Sequence, residues 1–253
     1  MDLGLQDRVY VVTGATRGLG FATARELVAE GAKVVVSGRS EESVAAAVTT
    51  LGGASSAVGV VADTAEPDAA ERLVAAAGDG FGGLDGVLIS VGGPPAGTTE
   101  SIEEAQWRAA FESVFLGAVR LARAAAGVLG EGGVISFVLS TSVHEPIPSL
   151  AVSNGLRPGL AGYAKTLADE LGPRGVRVLG LLPGRIATER MKELDAFSGD
   201  PAAAAARNTA AIPLRRYGTP EEFGRVAAFV LSPAASYLTG VMLPVDGGAL
   251  RNF

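Results

Sequence analysis

Short apolar runs alternate along this chain with longer stretches in which apolar positions recur every three or four residues. The runs lie at Arg8–Thr13, Lys33–Ser37, Ala57–Val61, Gly86–Val91, Val134–Ser140, Val176–Leu182 and Val241–Val245. Their β-branched content fits strands buried on both faces, as in a parallel sheet. The intervening stretches, Leu19–Glu30, Glu41–Leu51, Pro67–Ala77, Glu103–Leu129, Leu150–Leu171 and Pro220–Leu231, have the length and spacing of crossover helices. Pro67 and Pro220 suit first-turn positions, where the missing N–H is not needed. The alternation predicts an α/β fold with a doubly wound, seven-stranded parallel sheet and helices on both faces. No Ser/Pro-rich linker or charge run divides residues 1–253, which predicts a single domain.

Between the first strand and the first helix stands Thr13-Gly14-Ala15-Thr16-Arg17-Gly18-Leu19-Gly20. Glycines at 14, 18 and 20 permit backbone angles and close approaches that a Cβ would block. The unpaired N–H groups at the helix start favour an anion in the turn, a phosphate being the natural occupant. Taken alone the pattern is equally a tight turn without a ligand.

Composition limits the partners. The net charge is −6, which gives nucleic acid no electrostatic footprint. The chain has no cysteine, no basic leader with an apolar core at its start, and no apolar run long enough to cross a bilayer. We therefore expect no disulfides, no membrane, and a cytoplasmic protein. No cluster with metal-ligand spacing is present, and none is expected.

Together these landmarks resemble the short-chain dehydrogenase/reductase family over essentially the whole length, and most of all its 3-oxoacyl-carrier-protein reductase branch. The matching residues, in order, are the loop Thr13 to Gly20, Asp63 after the third strand, Ser140 after the fifth, and Pro183-Gly184 with Ile186 and Thr188 after the sixth. Tyr237-Leu238-Thr239-Gly240 leading to Asp246-Gly247-Gly248 completes the series. The resemblance implies a Rossmann-type domain that binds a nicotinamide dinucleotide. It assigns the cofactor to Thr13, Gly14, Thr16, Arg17, Gly18, Leu19 and Gly20, with Arg39, Asp63, Gly92, Pro183, Gly184, Ile186 and Thr188 completing the site. It also implies a small-molecule substrate capped by a segment of about 188–217, with Met191, Leu194 and Phe197 as apolar contacts, and a homo-oligomer, either tetramer or dimer.

The end of the second strand reads Ser37-Gly38-Arg39-Ser40, with no carboxylate to receive the ribose hydroxyls of NAD(H). Arg39 and Arg17 suit a 2′-phosphate through charge and forked donors, so NADP(H) is expected over NAD(H). The plainer alternative is two solvated surface cations, and for Asp63 a turn former.

The catalytic positions depart from the family. There a tyrosine moves the proton, a lysine lowers its pKa and holds the ribose, a serine bonds the substrate oxygen, and an asparagine supports a water relay. Here Ser140 keeps the serine role, whereas Ser153 replaces the tyrosine, Arg157 the lysine and Val114 the asparagine. Ile89-Ser90-Val91-Gly92 stands where the family has Asn-Asn-Ala-Gly. A serine hydroxyl is shorter and far less acidic than a phenol, and arginine stays charged up to a pKa of about 12, so neither reproduces the family relay. Tyr163 and Lys165 lie ten or more residues beyond Ser153, roughly 15 Å along a helix, and reach the vacant positions only if Pro158-Gly159 breaks it. Tyr217 follows the capping segment and stays open as a substitute. His144, the only histidine, has a pKa range suited to proton donation with Glu145 as its orienting partner; equally it is a solvated loop residue.

Two functions follow. One is an NADP(H)-linked reductase of a ketone, 3-oxoacyl or enoyl substrate with an unusual proton donor. The other is a catalytically silent NADP(H)-binding partner of active relatives. A halohydrin dehalogenase-like reading echoes Arg157, but those relatives lack the glycine-rich loop and need the tyrosine.

Overall fold

The computed structural model describes residues 2–196 and 199–251. Seven parallel strands form one sheet: β1 (Val9–Val12), β2 (Lys33–Gly38), β3 (Ala57–Val61), β4 (Gly86–Ile89), β5 (Val134–Val138), β6 (Arg177–Pro183) and β7 (Met242–Val245). Their spatial order is β3-β2-β1-β4-β5-β6-β7, the doubly wound arrangement expected from the alternation. The order reverses between β1 and β4, where Val11 pairs with Val87, and a crevice opens at the carboxyl ends of these strands.

The period of two along each strand sends alternate side chains to two cores. Val11, Val35, Val87, Ile89, Ile135 and Phe137 face one layer, which contains α3 (Ala69–Phe81), α5 (Gly117–Val128) and α6 (Ala151–Leu171). Tyr10, Val12, Val34, Val36, Leu88 and Leu181 face the other, which holds α1 (Gly18–Ala29) and α9 (Pro220–Leu231). Side chains that fill both faces explain why these strands are apolar throughout rather than alternating. α2 (Glu41–Thr50) starts at Ser40, whose hydroxyl accepts from the Ser43 N–H. α9 starts at a Thr219–Glu222 capping box with Pro220 in its first turn, as the sequence predicts.

Several expectations need correction. Pro67 lies outside its helix, in the turn before the Asp68 N-cap. The stretch Glu103–Leu129 is α4 (Glu104–Ala110) and α5 joined through a π-helical turn at Phe111–Leu116. Such wide turns are inserted bulges that periodicity does not announce. Pro158 does not break α6, because Leu156, Leu160, Ala161 and Ala164 on either side of it are buried and hold the helix together. β4 and β5 end before Val91 and Ser140, since their chains leave the sheet to line the crevice. The segment 188–217 contains two further helices, α7 (Glu189–Ala196) and α8 (Pro201–Ala211). Phe197 lies outside the described residues.

Candidate active site

The crevice is built from the β1 end outward. Thr13 is fully buried, and its hydroxyl donates to the Ser90 carbonyl at 2.8 Å and accepts the Ser90 N–H at 2.9 Å. This reciprocal pair joins β1 to the loop after β4 and commits the Thr13 side chain to the scaffold. Gly14 follows at φ +57°, and a Cβ there would stand 2.7 Å from the Ser90 carbonyl oxygen. Gly20 lies within α1, where a Cβ would come 2.6 Å from the Gly14 carbonyl oxygen. The backbone thus turns tightly into α1, and no side chain caps that helix at Arg17. Its first-turn N–H groups face the loop, as an anion cradle requires.

Charge around the cradle is positive. Arg17 and Arg39 are both exposed, and neither side chain makes a hydrogen bond or ion pair to a described residue, although, after Lys192, the Arg17 charge helps to lower the Glu189 carboxyl. Thr16 packs where a side chain on Gly38 would otherwise sit. Thr188 approaches the same loop, its methyl 3.8 Å from the position a Cβ on Gly18 would take. Ile186 is buried and bridged to Gly218, while Gly184 abuts Asp246. Thr188 and Ile186, together with Pro183 and Gly184, therefore stand at the β6 side of the crevice. Gly92 is exposed after β4. Asp63 accepts the Ala65 N–H at 2.9 Å, so its carboxylate shapes the turn after β3.

The second half of the site lies on β5 and α6. Ser140 is extended and half-buried at the start of a short 3₁₀ turn, and its oxygen accepts the Ser142 N–H at 3.1 Å. Ser142 and Ser153 are buried, 3.1 Å apart through their hydroxyls. This pair holds two O–H donors, of which one serves the mutual bond. Arg157, one turn along α6, is 6% exposed and donates through Nη1 to the Val138 carbonyl at 2.7 Å, at the end of β5. No described carboxylate pairs with it. Burial pushes this guanidinium down to about 10, with the charge of Arg190 as the second cause; it remains cationic at neutral pH. Arg190, near the start of α7, donates through Nη2 to the Pro94 carbonyl at 2.6 Å and packs over Gly93.

Other candidates lie elsewhere. His144 is exposed after the 3₁₀ turn, and its imidazole makes no hydrogen bond to a described residue; Glu145 receives the Arg251 N–H at 3.4 Å. The His144–Glu145 relay is therefore not assembled. Tyr163 packs edge-on against Phe137 with ring centroids 6.2 Å apart, and Lys165 donates to the Gly240 carbonyl. Tyr217 is bound into the cap: its hydroxyl donates to Asp195 at 3.0 Å and lies 3.2 Å from Asn208, which joins α7 to α8. Burial foremost, with the Asp195 charge adding, raises the Tyr217 pKa. Val114 is buried in the π-helical turn, where it offers packing and no hydrogen bond. Sequence reasoning missed Ser142 and Arg190. The Ser140-Thr141-Ser142 triplet was a signal for the first, whereas only the return of α7 across the crevice reveals the second.

A family profile described as Enoyl-(Acyl carrier protein) reductase matches residues 14–249. Dehydrogenase/reductase SDR family member 4 of Bos taurus is 37% identical over 253 residues, covering 98% of this chain and 89% of its own. The chain belongs to the short-chain dehydrogenase/reductase family. A short-chain dehydrogenase/reductase from Brucella melitensis, described as a glucose/ribitol dehydrogenase, superposes with a TM-score of 0.93 at 30% identity over the full length of both chains. The L-sorbose reductase of Gluconobacter frateurii, solved with NADPH and L-sorbose, superposes at 0.90 with 28% identity, again over both full lengths. Membership makes the chain part of an oxidoreductase family built on this dinucleotide fold. Among the described residues no helix is long and apolar enough to cross a membrane, and no cluster of acidic or histidine side chains is arranged to hold a metal.

Proposed function

We propose that this protein is an NADP(H)-linked oxidoreductase that reduces a ketone, 3-oxoacyl or enoyl substrate without the family's tyrosine. One observation carries the reading: Arg17 and Arg39 flank an uncapped helix start, both exposed, neither bound to a described residue, and no acid stands at the end of β2. The cradle fits the cofactor, because Gly14 and Gly20 keep its floor free of side chains. The L-sorbose reductase relative, which binds NADPH, supports the same preference. The bound cofactor would supply the hydride.

The chain's own residues then orient the substrate. The half-buried Ser140 hydroxyl donates to the substrate oxygen, and the free O–H of the Ser142–Ser153 pair offers a second donor from deeper in the site. Arg157 adds a fixed positive charge behind them. With neither a phenol nor the His144 imidazole bonded to this cluster, the proton reaches the product from water. Such positioning retains much of catalysis even when the acid is poor.

Calorimetric titration with NADPH and with NADH tests the reading. NADPH should bind more tightly by about tenfold or more, the scale of one charge-assisted hydrogen bond. Equal affinities, or no binding of either, would overturn it. A second reading, a silent NADP(H)-binding partner, draws support from the short, buried Ser153 hydroxyl. Tight NADPH binding with no oxidation of NADPH across a panel of ketones, 3-oxoacyl thioesters and enoyl thioesters would favour it.

A further inference from the structure

Arg157 is a buried cation with no matching anion among the described residues. Its guanidinium carries five N–H donors, and among the described residues only the Val138 carbonyl accepts from it. A buried charge is ordinarily paired, since leaving one partner alone in a low-dielectric site is strongly unfavourable. Arg190 deepens the imbalance. It packs over Gly93 and donates to the Pro94 carbonyl in the loop after β4, the strand next to β5 in the sheet, and its positive charge acts on Arg157. Arg190 has a partial counter-ion in Glu193 at 3.3 Å, an exposed pair screened by water. Arg157 has none.

The cofactor's phosphates do not answer this charge. Their cradle is at the β1 end, two strand positions from β5, or roughly 10 Å away. The nicotinamide end is neutral when reduced and positive when oxidised, so a guanidinium pair there calls for an anion from another source. Ser140 and the Ser142–Ser153 pair stand beside Arg157 with O–H donors to spare, which suits a group with several acceptor oxygens.

We infer that Arg157 and Arg190 bind the carboxylate of the substrate, so that the site takes a small 2-oxo or 2-enoic acid rather than a neutral ketone or a thioester. This rests on the oxidoreductase reading and narrows its substrate class. Arg157 is then a substrate-binding residue rather than a substitute for the ribose-holding lysine.

The test uses 2-oxobutanoate and its neutral amide, 2-oxobutanamide, titrated into the full chain with and without NADPH. Calorimetry gives one readout. Trp107, the chain's single tryptophan, gives another, because its ring packs against Gly155 between Ser153 and Arg157 on α6. The acid should bind about tenfold or more tightly than the amide. Arg157→Met and Arg190→Met should each remove most of that difference while leaving NADPH binding in place. Arg157→Lys keeps the charge and should retain part of it; together with Arg190→Met it carries the test if Arg157→Met fails to fold. Equal binding of acid and amide would overturn the inference. So would loss of NADPH affinity in Arg157→Met with acid binding untouched, or displacement of the acid by chloride at equal concentration. If the wild-type chain fails to bind NADPH, the oxidoreductase reading falls, and the titration without cofactor still decides the carboxylate site.

Discussion

The glycine-rich loop at the start of α1 and the Ser153–Arg157 stretch of α6 are built on opposite principles. At the glycine-rich loop the work is done by the backbone: Gly14 turns, Gly20 lets α1 approach, Thr13 ties the loop to Ser90, and no side chain caps the start of α1. At α6 the backbone does little beyond presenting Ser153 and Arg157 at one turn's spacing, and the chemistry belongs to the side chains. A backbone site tolerates few substitutions because a Cβ collides with it. A side-chain site can exchange tyrosine for serine and lysine for arginine and still fold, provided volume and hydrogen bonds are met. On the proposed reading, the chain keeps the family's binding half nearly whole and replaces the reacting half.

The largest effect is expected from Gly20→Val. Its branched side chain would enter the space between α1 and the Gly14 carbonyl, costing about 1–3 kcal/mol of stability by overpacking. NADPH binding should disappear in calorimetry at a temperature where the fold persists. Retained binding would show that the cradle is not backbone-built.

Replacing both Arg17 and Arg39 by alanine sharpens the comparison, because it removes the cradle's side-chain contribution and leaves its backbone. NADPH affinity should fall by about 1.5–3 kcal/mol for each lost charged contact, with NADH affinity almost unmoved. A parallel loss for both cofactors would move these cations from phosphate recognition to general electrostatics.

Ser153→Ala addresses the other half. It deletes one hydroxyl of the buried pair and should lower stability by about 1 kcal/mol, because Ser142 keeps an O–H without its partner. Cofactor affinity should stay as in the wild-type chain while turnover, where a substrate is found, declines. A drop in NADPH binding would mean the two regions are not separable.

The smallest effect concerns the junction between the 188–217 segment and α9. Arg216 meets Glu222 through two contacts of 2.6 and 2.7 Å, and this pairing holds the Glu222 carboxyl down at about 2. A carboxylate depressed in the folded state adds stability that is fully present above its unfolded value, near 4.5, and fades as pH falls toward 2. Glu222→Gln should lower the melting temperature slightly at pH 7, and the difference from wild type should close below pH 4. A constant difference across that range would detach the effect from the Glu222 charge.

The legible parts of this molecule are those with local causes. Strand and helix order followed from period and composition, and the Gly14–Gly20 loop followed from a pattern confined to eight residues. Pro67 was misplaced because a proline suits a turn before a helix as well as its first turn, and the π-helical turn was hidden because Val114 and Phe115 continue an unbroken apolar stripe. At the site, Ser140, Ser153 and Arg157 were singled out by the resemblance to the family, and the structure sets the last two on adjacent turns of α6. Ser142 passed as filler beside Ser140. Arg190 lay 33 residues from Arg157, with nothing between them to announce that α7 would return over Gly93.

The sequence by itself determined that this chain folds as a doubly wound parallel sheet, carries a glycine-rich loop between its first strand and first helix, and has Ser153 and Arg157 four residues apart on one helix. Those facts depend on residues near one another along the chain. Tertiary structure alone decided that Tyr217 would be spent on Asp195, that His144 would face solvent, and that Arg157 would be buried with no carboxylate among the described residues paired to it. Charge balance inside a site depends on distances through space and on the loss of water, and neither is written in the spacing of residues along a chain.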